Sequence, residues 1–528
     1  MSVDRYKKVM EQIRKLPVGI QSFEVLRTQD YLYVDKTDMI YRLVSTYIPY
    51  FLSRPRRFGK SLLLSTLKAY FEGRKDLFEE LAISELETEW EKYPILYLDL
   101  NAEKYDSVEC LELILSVNLE KWENLYGKNE SEQSLSRRFA GVIERAYEKT
   151  GKRVVVLIDE YDKPMLSAIF DEELSKEYRT VLKAFYGVLK SSGQYLRFLF
   201  LTGVTKFAQV SVFSDLNHLA DISSVDDYAS LCGITKNEML HFFTPELKRL
   251  AQKQEMTFDE AVEKMAQQYD GYHFVPYSDG MFNPFSVLNA LNFGNFGNYW
   301  FQTGTPTYLV DLLKESDYDL RLLIDGIEVK SSAFAEYRAD ANNPIPMIYQ
   351  SGYLTIAGYD KKYALYTLKF PNDEVRYGFI EFLAPYYTAV TNDTSGFHIA
   401  TFCKELEAGQ TEAFMERMKV FFAKIPYALN NNNEKHYQAI FYVVFALIGQ
   451  YIDAEVRSAD GRADAVVKTK DCIYVFEFKL NGTAEDAIRQ IDEKDYLLPY
   501  KLDGRKLIKV GAEFCKRKRN LKRFIIKN

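Results

Sequence analysis

Two short stretches of this chain carry residue types and spacings suited to phosphate chemistry. The first is RPRRFGKS, Arg54 to Ser61, which follows the apolar run Tyr47–Leu52 and leads into the helical pattern LLLSTLKAYFEG. A strand, a loop ending in Gly-Lys-Ser and a helix form the context of a phosphate-binding loop. Gly59 would let the backbone approach the phosphates, Lys60 would reach the β- and γ-phosphates, and the Ser61 hydroxyl would ligate Mg2+. The start of the helix, Leu62 included, adds backbone donors and its positive dipole end. The pattern wants a glycine five residues before Gly59, and Arg54 stands there. With Arg56 and Arg57 beside Phe58, this loop has side chains available where glycine-rich loops use backbone.

A second element supports the first. VVVLIDEYD, Val154 to Asp162, is an apolar strand ending in acids. In P-loop ATPases the first acid, here Asp159, holds Mg2+ through water, and the second, here Glu160, polarises the attacking water. A further strand, FLFLTGVTKF, puts Thr202 or Thr205 where a polar tip would sense the γ-phosphate. Arg56 and Arg57 are the nearest candidates for charge stabilisation.

The second stretch is GRADAVVKTKDCIYVFEFKL, Gly461 to Leu480. Residues two apart on a strand share a face, so Glu477 and Lys479 point together. A hairpin turning near Lys470-Asp471 brings Asp464 to them. Two carboxylates and an ammonium then share a pocket whose hard oxygen ligands suit Mg2+ or Mn2+. Such a site can activate a water and offset the charge of a phosphodiester transition state, with Lys479 orienting or deprotonating the water. A charged E-x-K between Phe476 and Phe478 is costly as mere decoration, because unpaired charge in an apolar strand is penalised.

The elements that must position these residues follow from the pattern. Apolar runs at Tyr47–Leu52, Pro94–Leu100, Val154–Ile158 and Leu196–Leu201 alternate with helical segments at Ser61–Glu72, Val108–Trp122 and Glu172–Lys190. That alternation predicts a parallel sheet covered on both faces. The stretch from Tyr228 to Asp325 reads as mostly helical, and Pro344 to Arg376 as β-rich. The four asparagines Asn430–Asn433 mark a boundary. After them the pattern runs helix, three strands, helix, strand.

With both sites in view, the chain resembles the bacterial AAA-ATPase-like family that carries a C-terminal PD-(D/E)XK nuclease domain. The resemblance rests on LPVGIQSFEVLRTQDYLYVDKTDMIYRLV, RPRRFGKS, LIDEYD and TGVTKFAQVSVFSDLNHLADIS, and on YDGYHF, NPFSVLNAL and YQSGYLTIAGYD in the middle. It implies an α/β multidomain protein. Residues 1–225 would be an AAA-ATPase-like P-loop domain and 226–330 a helical lid. Residues 331–428 would be a winged-helix-like, β-rich connector, and 429–528 a restriction-endonuclease-like nuclease domain. It also implies Asp464, Glu477 and Lys479 as the nuclease triad, and Glu434 as the acidic residue of its first helix. Gln490 and Tyr496 would be a Q-x(n)-Y extension contacting nucleic acid. In the family, arginine at the Arg54 position is usual. The two site patterns in one chain point to an ATP-binding ATPase in which ATP binding or hydrolysis gates Mg2+-dependent cleavage of nucleic acid, with DNA favoured over RNA and the choice between them left open by the sequence. The alternative is a nucleotide-dependent signalling switch whose C-terminal domain binds nucleic acid or a partner without cutting; the intact triad argues against it. ATPases of this kind often assemble into homo-oligomers.

Composition sets the outer bounds. The 528 residues correspond to about three or four domains. A net charge of -7 excludes a globally basic protein that coats nucleic acid, but not a local basic groove such as the tail Cys515 to Asn528. The five cysteines are scattered, with neither a disulfide framework nor a thiolate zinc site. The charged N-terminus and the lack of a long apolar window lead to the expectation of a cytoplasmic protein with no membrane partner. The chain is 15% aromatic, a content that fits either large cores or sticky surfaces. In NFGNFGNYWF, Asn292 to Phe301, packing of a helix–loop junction is favoured over stacking of bases.

Overall fold

The computed structural model describes residues 14–46, 48–101, 104–206, 219–303, 326–332, 343–387, 392–423, 434–449, 451–456, 463–479, 482–515 and 520–528, with 309, 313 and 323. Residues 386–387, 392–398, 434–439 and 455–456 are described by backbone alone. The chain divides into two compact units, one of residues 1–300 with 328–372, the other of residues 301–327 with 373–528. The segment expected as one connector, 331–428, is thus shared between the units. Asn430–Asn433 and residues 516–519 of the basic tail lie outside the described residues.

The first unit is built on a five-stranded sheet. Its strands are β1 (Tyr50–Ser53), β2 (Ile95–Asp99), β3 (Val154–Asp159), β4 (Leu196–Gly203) and β5 (Ala220–Asp221). Their order is β2-β3-β4-β1-β5, and every pairing is parallel. All six residues of β3 are buried, as expected for a strand with a continuous apolar run, Val154 to Ile158, inside a covered parallel sheet. The connecting helices are α1 (Lys60–Phe71), α2 (Val108–Tyr126), α3 (Leu135–Thr150) and α4 (Glu172–Ser191). Strands and helices start and stop close to where the apolar runs and helical periods place them. The helix α3 lies outside the helical segments read from the sequence. It is nonetheless well punctuated, with Ser134 accepting from the Arg137 amide at one end and Gly151 in the left-handed region at the other.

Beyond the sheet, α5 (Lys236–Lys253), α6 (Phe258–Tyr269) and α7 (Pro284–Phe293) form a helical group. Thr235/Glu238 and Thr257/Glu260 form capping boxes that fix where α5 and α6 begin. Met239, Phe243, Leu247 and Leu250 recur at helical spacing on α5 and are buried. Phe296 and Tyr299 pack against this core. The segment 292–301 therefore closes a helix–loop junction, as its composition favoured. An antiparallel hairpin follows, β6 (Thr355–Asp360) with β7 (Leu365–Lys369).

The second unit holds α8 (Asp373–Tyr387), α9 (Asn392–Glu407), α10 (Thr411–Ala423) and α11 (Glu434–Ile448). Its sheet, in the order β8-β9-β10-β11-β12, comprises β8 (Asp453–Val456), β9 (Ala465–Lys468), β10 (Cys472–Lys479), β11 (Lys506–Cys515) and β12 (Asn520–Lys527). Only the β10/β11 pair is parallel, and the helix α12 (Ala484–Glu493) makes that crossover. Phenylalanines fill the space between helices and sheet. Phe414 meets Phe476 at 5.7 Å, Phe445 meets Phe476 at 4.9 Å, and Phe441 stacks on Phe478 at 3.9 Å. No helix among the described residues is long and apolar enough to cross a membrane.

Candidate active sites

In the first unit the loop between β1 and α1 leaves the carboxyl edge of the parallel sheet, where ligands of such sheets bind. Gly59 caps α1 at φ +95°, and a Cβ there would meet nothing, so backbone geometry alone demands glycine. Arg57 and Glu160 also have positive φ, +66° and +53°. Strained non-glycine backbone of this kind gathers at functional sites. Lys60 is buried, and its ammonium lies 3.1 Å from the Arg54 carbonyl, 3.3 Å from the Pro55 carbonyl and 3.4 Å from the Glu160 carboxylate.

The acids of β3 meet this loop. Asp159 lies beside the Ser61 hydroxyl, and its Oδ1 accepts from the Thr202 hydroxyl at 2.7 Å. Burial pushes its carboxyl above the usual range, while the Ser61 and Thr202 hydrogen bonds pull it back. The strand β4 lies between β1 and β3, so Thr202 stands between the loop and the acids. Thr205 is engaged elsewhere. Its hydroxyl and amide both donate to Asp162, as does the Val204 amide. Asp162 is fully buried, and burial together with the charge of Glu160 raises it to about 6. Gly203 makes room for it, since a Cβ there would sit 2.5 Å from the Asp162 carboxylate. Sequence reasoning assigns Asp162 no role. Its engagement depends on β3 lying beside β4, which local pattern does not reveal.

The arginines of the loop divide. Arg54, expected at the phosphates, is 1% exposed. Its guanidinium donates to the carbonyls of Ser53, Ser223 and Tyr228 and lies 4.0 Å over the Phe274 ring. Burial lowers its pKa to about 10. Phe58 is likewise buried, edge-on to Tyr272 and Phe274. Arg56 is half-buried, with its carbonyl accepting from the Trp300 indole, while Arg57 is exposed over Phe285.

A half-open pocket lies against Phe58, Gly59 and Leu62. Its other walls come from Tyr33 and Val34 of the N-terminal segment and from Ile234 and Phe243. Lys36 lines it and pairs with Glu238 at 2.5 Å. Sequence reasoning assigns none of these walls. A signal exists in the Tyr-Leu-Tyr-Val run at residues 31–34, but nothing local joins it to a loop some twenty-five positions on.

In the second unit β9 pairs with β10 so that Ala465 faces Phe476. Continuing that register by one residue sets Asp464 against Glu477, and the Asp464 carboxylate accepts from the Phe478 amide at 2.8 Å. Glu477 is 3% exposed. Its Oε1 accepts from the Lys479 ammonium at 3.0 Å, while its Oε2 is buried without a hydrogen-bond partner among the described residues. Burial first, and the Asp464 charge second, raise its carboxyl to about 7 against the pull of Lys479. Lys479 also donates to the Gln490 side-chain oxygen, and the Gln490 amide donates to the Tyr496 hydroxyl at 3.1 Å. The five residues 464, 477, 479, 490 and 496 therefore form one connected group. Glu434 begins α11, but its side chain lies outside the described residues. Among the described residues no three His, Cys, Asp or Glu side chains gather at one point.

A buried carboxylate oxygen without a partner, beside a second carboxylate, suits a divalent cation. The donor set at Ser61 and Asp159 suits one equally well.

Comparison with known proteins bears on both units. A family described as predicted AAA-ATPase matches residues 17–213, and the PD-(D/E)XK nuclease superfamily matches residues 432–524. An uncharacterized protein from the vnfD 5' region of Azotobacter chroococcum mcd 1 is 33% identical, covering 98% of this chain and 99% of its own length. Among solved structures, the Aeropyrum pernix ORC2 protein (ADPNP-ADP complexes) aligns with 63% of this chain and 87% of its own. Its TM-score is 0.25 at 11% identity.

Proposed function

Since this chain belongs to the predicted AAA-ATPase-like family with a C-terminal PD-(D/E)XK nuclease-superfamily domain, we propose that it is an ATPase that gates divalent-metal-dependent cleavage of nucleic acid phosphodiesters. One observation carries the cleavage half. Glu477 is buried, keeps one oxygen without a hydrogen-bond partner among the described residues, and lies between Asp464 and Lys479. A binding-only domain has no need of such an arrangement, which costs stability when empty.

At this site Asp464 and Glu477 would hold the cation, Mg2+ or Mn2+. When bound, the cation supplies a more acidic water and charge neutralisation at the phosphate. Lys479 holds and orients the water through its ammonium. Gln490 and Tyr496 act behind it, fixing where that ammonium sits.

In the first unit, the mostly apolar pocket would take the base of ATP and the neighbouring loop its phosphates. Lys60, held by loop carbonyls and Glu160, exchanges those partners for phosphate oxygens. Ser61 and Asp159 would hold Mg2+, Thr202 would report on the γ-phosphate through Asp159, and Glu160 would polarise water. Arg54 braces the loop from within the fold. Arg57, exposed on it, and Arg56 are the side chains available to phosphate.

The test is cleavage of labelled DNA and RNA by purified protein with Mg2+ or Mn2+. Wild type should cut, and Asp464→Ala and Glu477→Ala should not. Equal cutting by all three sinks the assignment.

A further inference from the structure

The hairpin β6–β7 gathers tyrosines and lysines that neither site uses. Tyr359 and Tyr366 pair directly across the strands, with rings 4.5 Å apart. The turn beyond them is well defined: the Asp360 carboxylate accepts from the Lys362 amide at 2.8 Å and the Tyr363 amide at 3.2 Å. Ala364 completes it at φ +53°. A fourth tyrosine comes from a distant loop. Tyr277 donates its hydroxyl to the Tyr359 carbonyl at 2.6 Å, and its ring stays 71% exposed. Its backbone is at φ +67°, a genuine outlier for a bulky residue. Such strain persists only where the surroundings impose it. Tyr363, at the turn itself, is 60% exposed. An ammonium group lies over each of these rings, Lys361 at 5.3 Å from the Tyr277 centroid and Lys362 at 4.8 Å from the Tyr363 centroid. Lys369 is exposed at the end of β7, and Asp360 is the acid held at the turn.

We propose that this hairpin, with Tyr277, is a docking surface for a nucleic acid strand. Two exposed aromatic rings on a stiff support offer faces for bases, and stacking tolerates any base sequence. The flexible ammonium groups over them swing out to backbone phosphates and uncover the ring faces. The inference goes beyond the proposed function but rests on its nucleic acid partner. It also gives a use to part of YQSGYLTIAGYD and to tyrosines that neither core accounts for.

The test uses the full chain carrying Asp464→Asn, so that the probe is not cut, and a fluorescein-labelled oligothymidine of about 20 nucleotides. Affinity is read by anisotropy at stepped salt concentrations. Tyr277→Ala and Tyr363→Ala should each weaken binding about tenfold, and Tyr363→Phe should bind like the parent. Lys361→Ala with Lys362→Ala should flatten the salt dependence by roughly 0.7 for each phosphate no longer neutralised. Unchanged affinity and slope in all of these variants overturn the surface, as a hairpin serving a protein partner would give. If wild type still cuts nucleic acid in that case, the nuclease reading stands. If wild type neither binds nor cuts, both fall.

Discussion

Glu477 sits in a strand that is apolar on both sides, and its carboxyl is held near pH 7 rather than at the ordinary 4.5. The consequence for stability has a definite sign. As pH rises, the unfolded chain gives up this proton near 4.5 and the folded chain only near 7. The folded state is therefore favoured by this group below 4.5, and that advantage is lost as pH climbs to 7. Without metal, Glu477→Gln should stabilise the protein at pH 8 by up to about 3 kcal/mol and change little at pH 4.5. Urea unfolding followed by far-ultraviolet circular dichroism at the two pH values checks this. A variant less stable than wild type at pH 8 contradicts the buried-charge account. Glu477 is legible in the sequence because an acid and a lysine two apart in an apolar strand cost stability unless they serve a site. Arg54 is not legible in that way. Its partners Ser223, Tyr228 and Phe274 lie about 170 to 220 positions away, and only the tertiary fold turns it inward.

At the scale of elements, α12 decides what Lys479 can do. The helix starts at a capping box, Thr483 with Asp486, and lies so close to β11 that a Cβ on Gly511 would approach the Ala484 carbonyl to 2.6 Å. That closeness brings Gln490 to the Lys479 ammonium, with Tyr496 behind. If these two residues position the lysine, Gln490→Ala and Tyr496→Phe should lower kcat roughly 10- to 100-fold and leave affinity for nucleic acid unchanged. Steady-state cleavage kinetics alongside anisotropy separates the effects. Weakened affinity with kcat intact would restore them as strand-binding residues, as the family resemblance implied. The strands β1, β3 and β4 and the hairpin β9–β10 are readable from apolar runs and alternation. The two-residue β5 and the walls of the pocket beside Gly59 are not. Their places are fixed by packing between segments far apart in the chain.

For the whole molecule, the net charge of -7 is a poor guide. It averages over two units whose sites have separate local electrostatics. The aromatic content is more informative. Much of it is core, as in the cluster joining Phe414, Phe441, Phe445, Phe476 and Phe478, and part forms the exposed hairpin. What joins the halves in function is the proposed gating of cleavage by ATP. The direct measurement is the single-turnover rate of oligonucleotide cleavage by the full chain in Mn2+, with and without ATP, for wild type and Lys60→Ala. The account predicts that ATP changes the wild-type rate and that Lys60→Ala cuts at one rate regardless of ATP. A wild-type rate identical with and without ATP, or no cleavage under either condition, would contradict it.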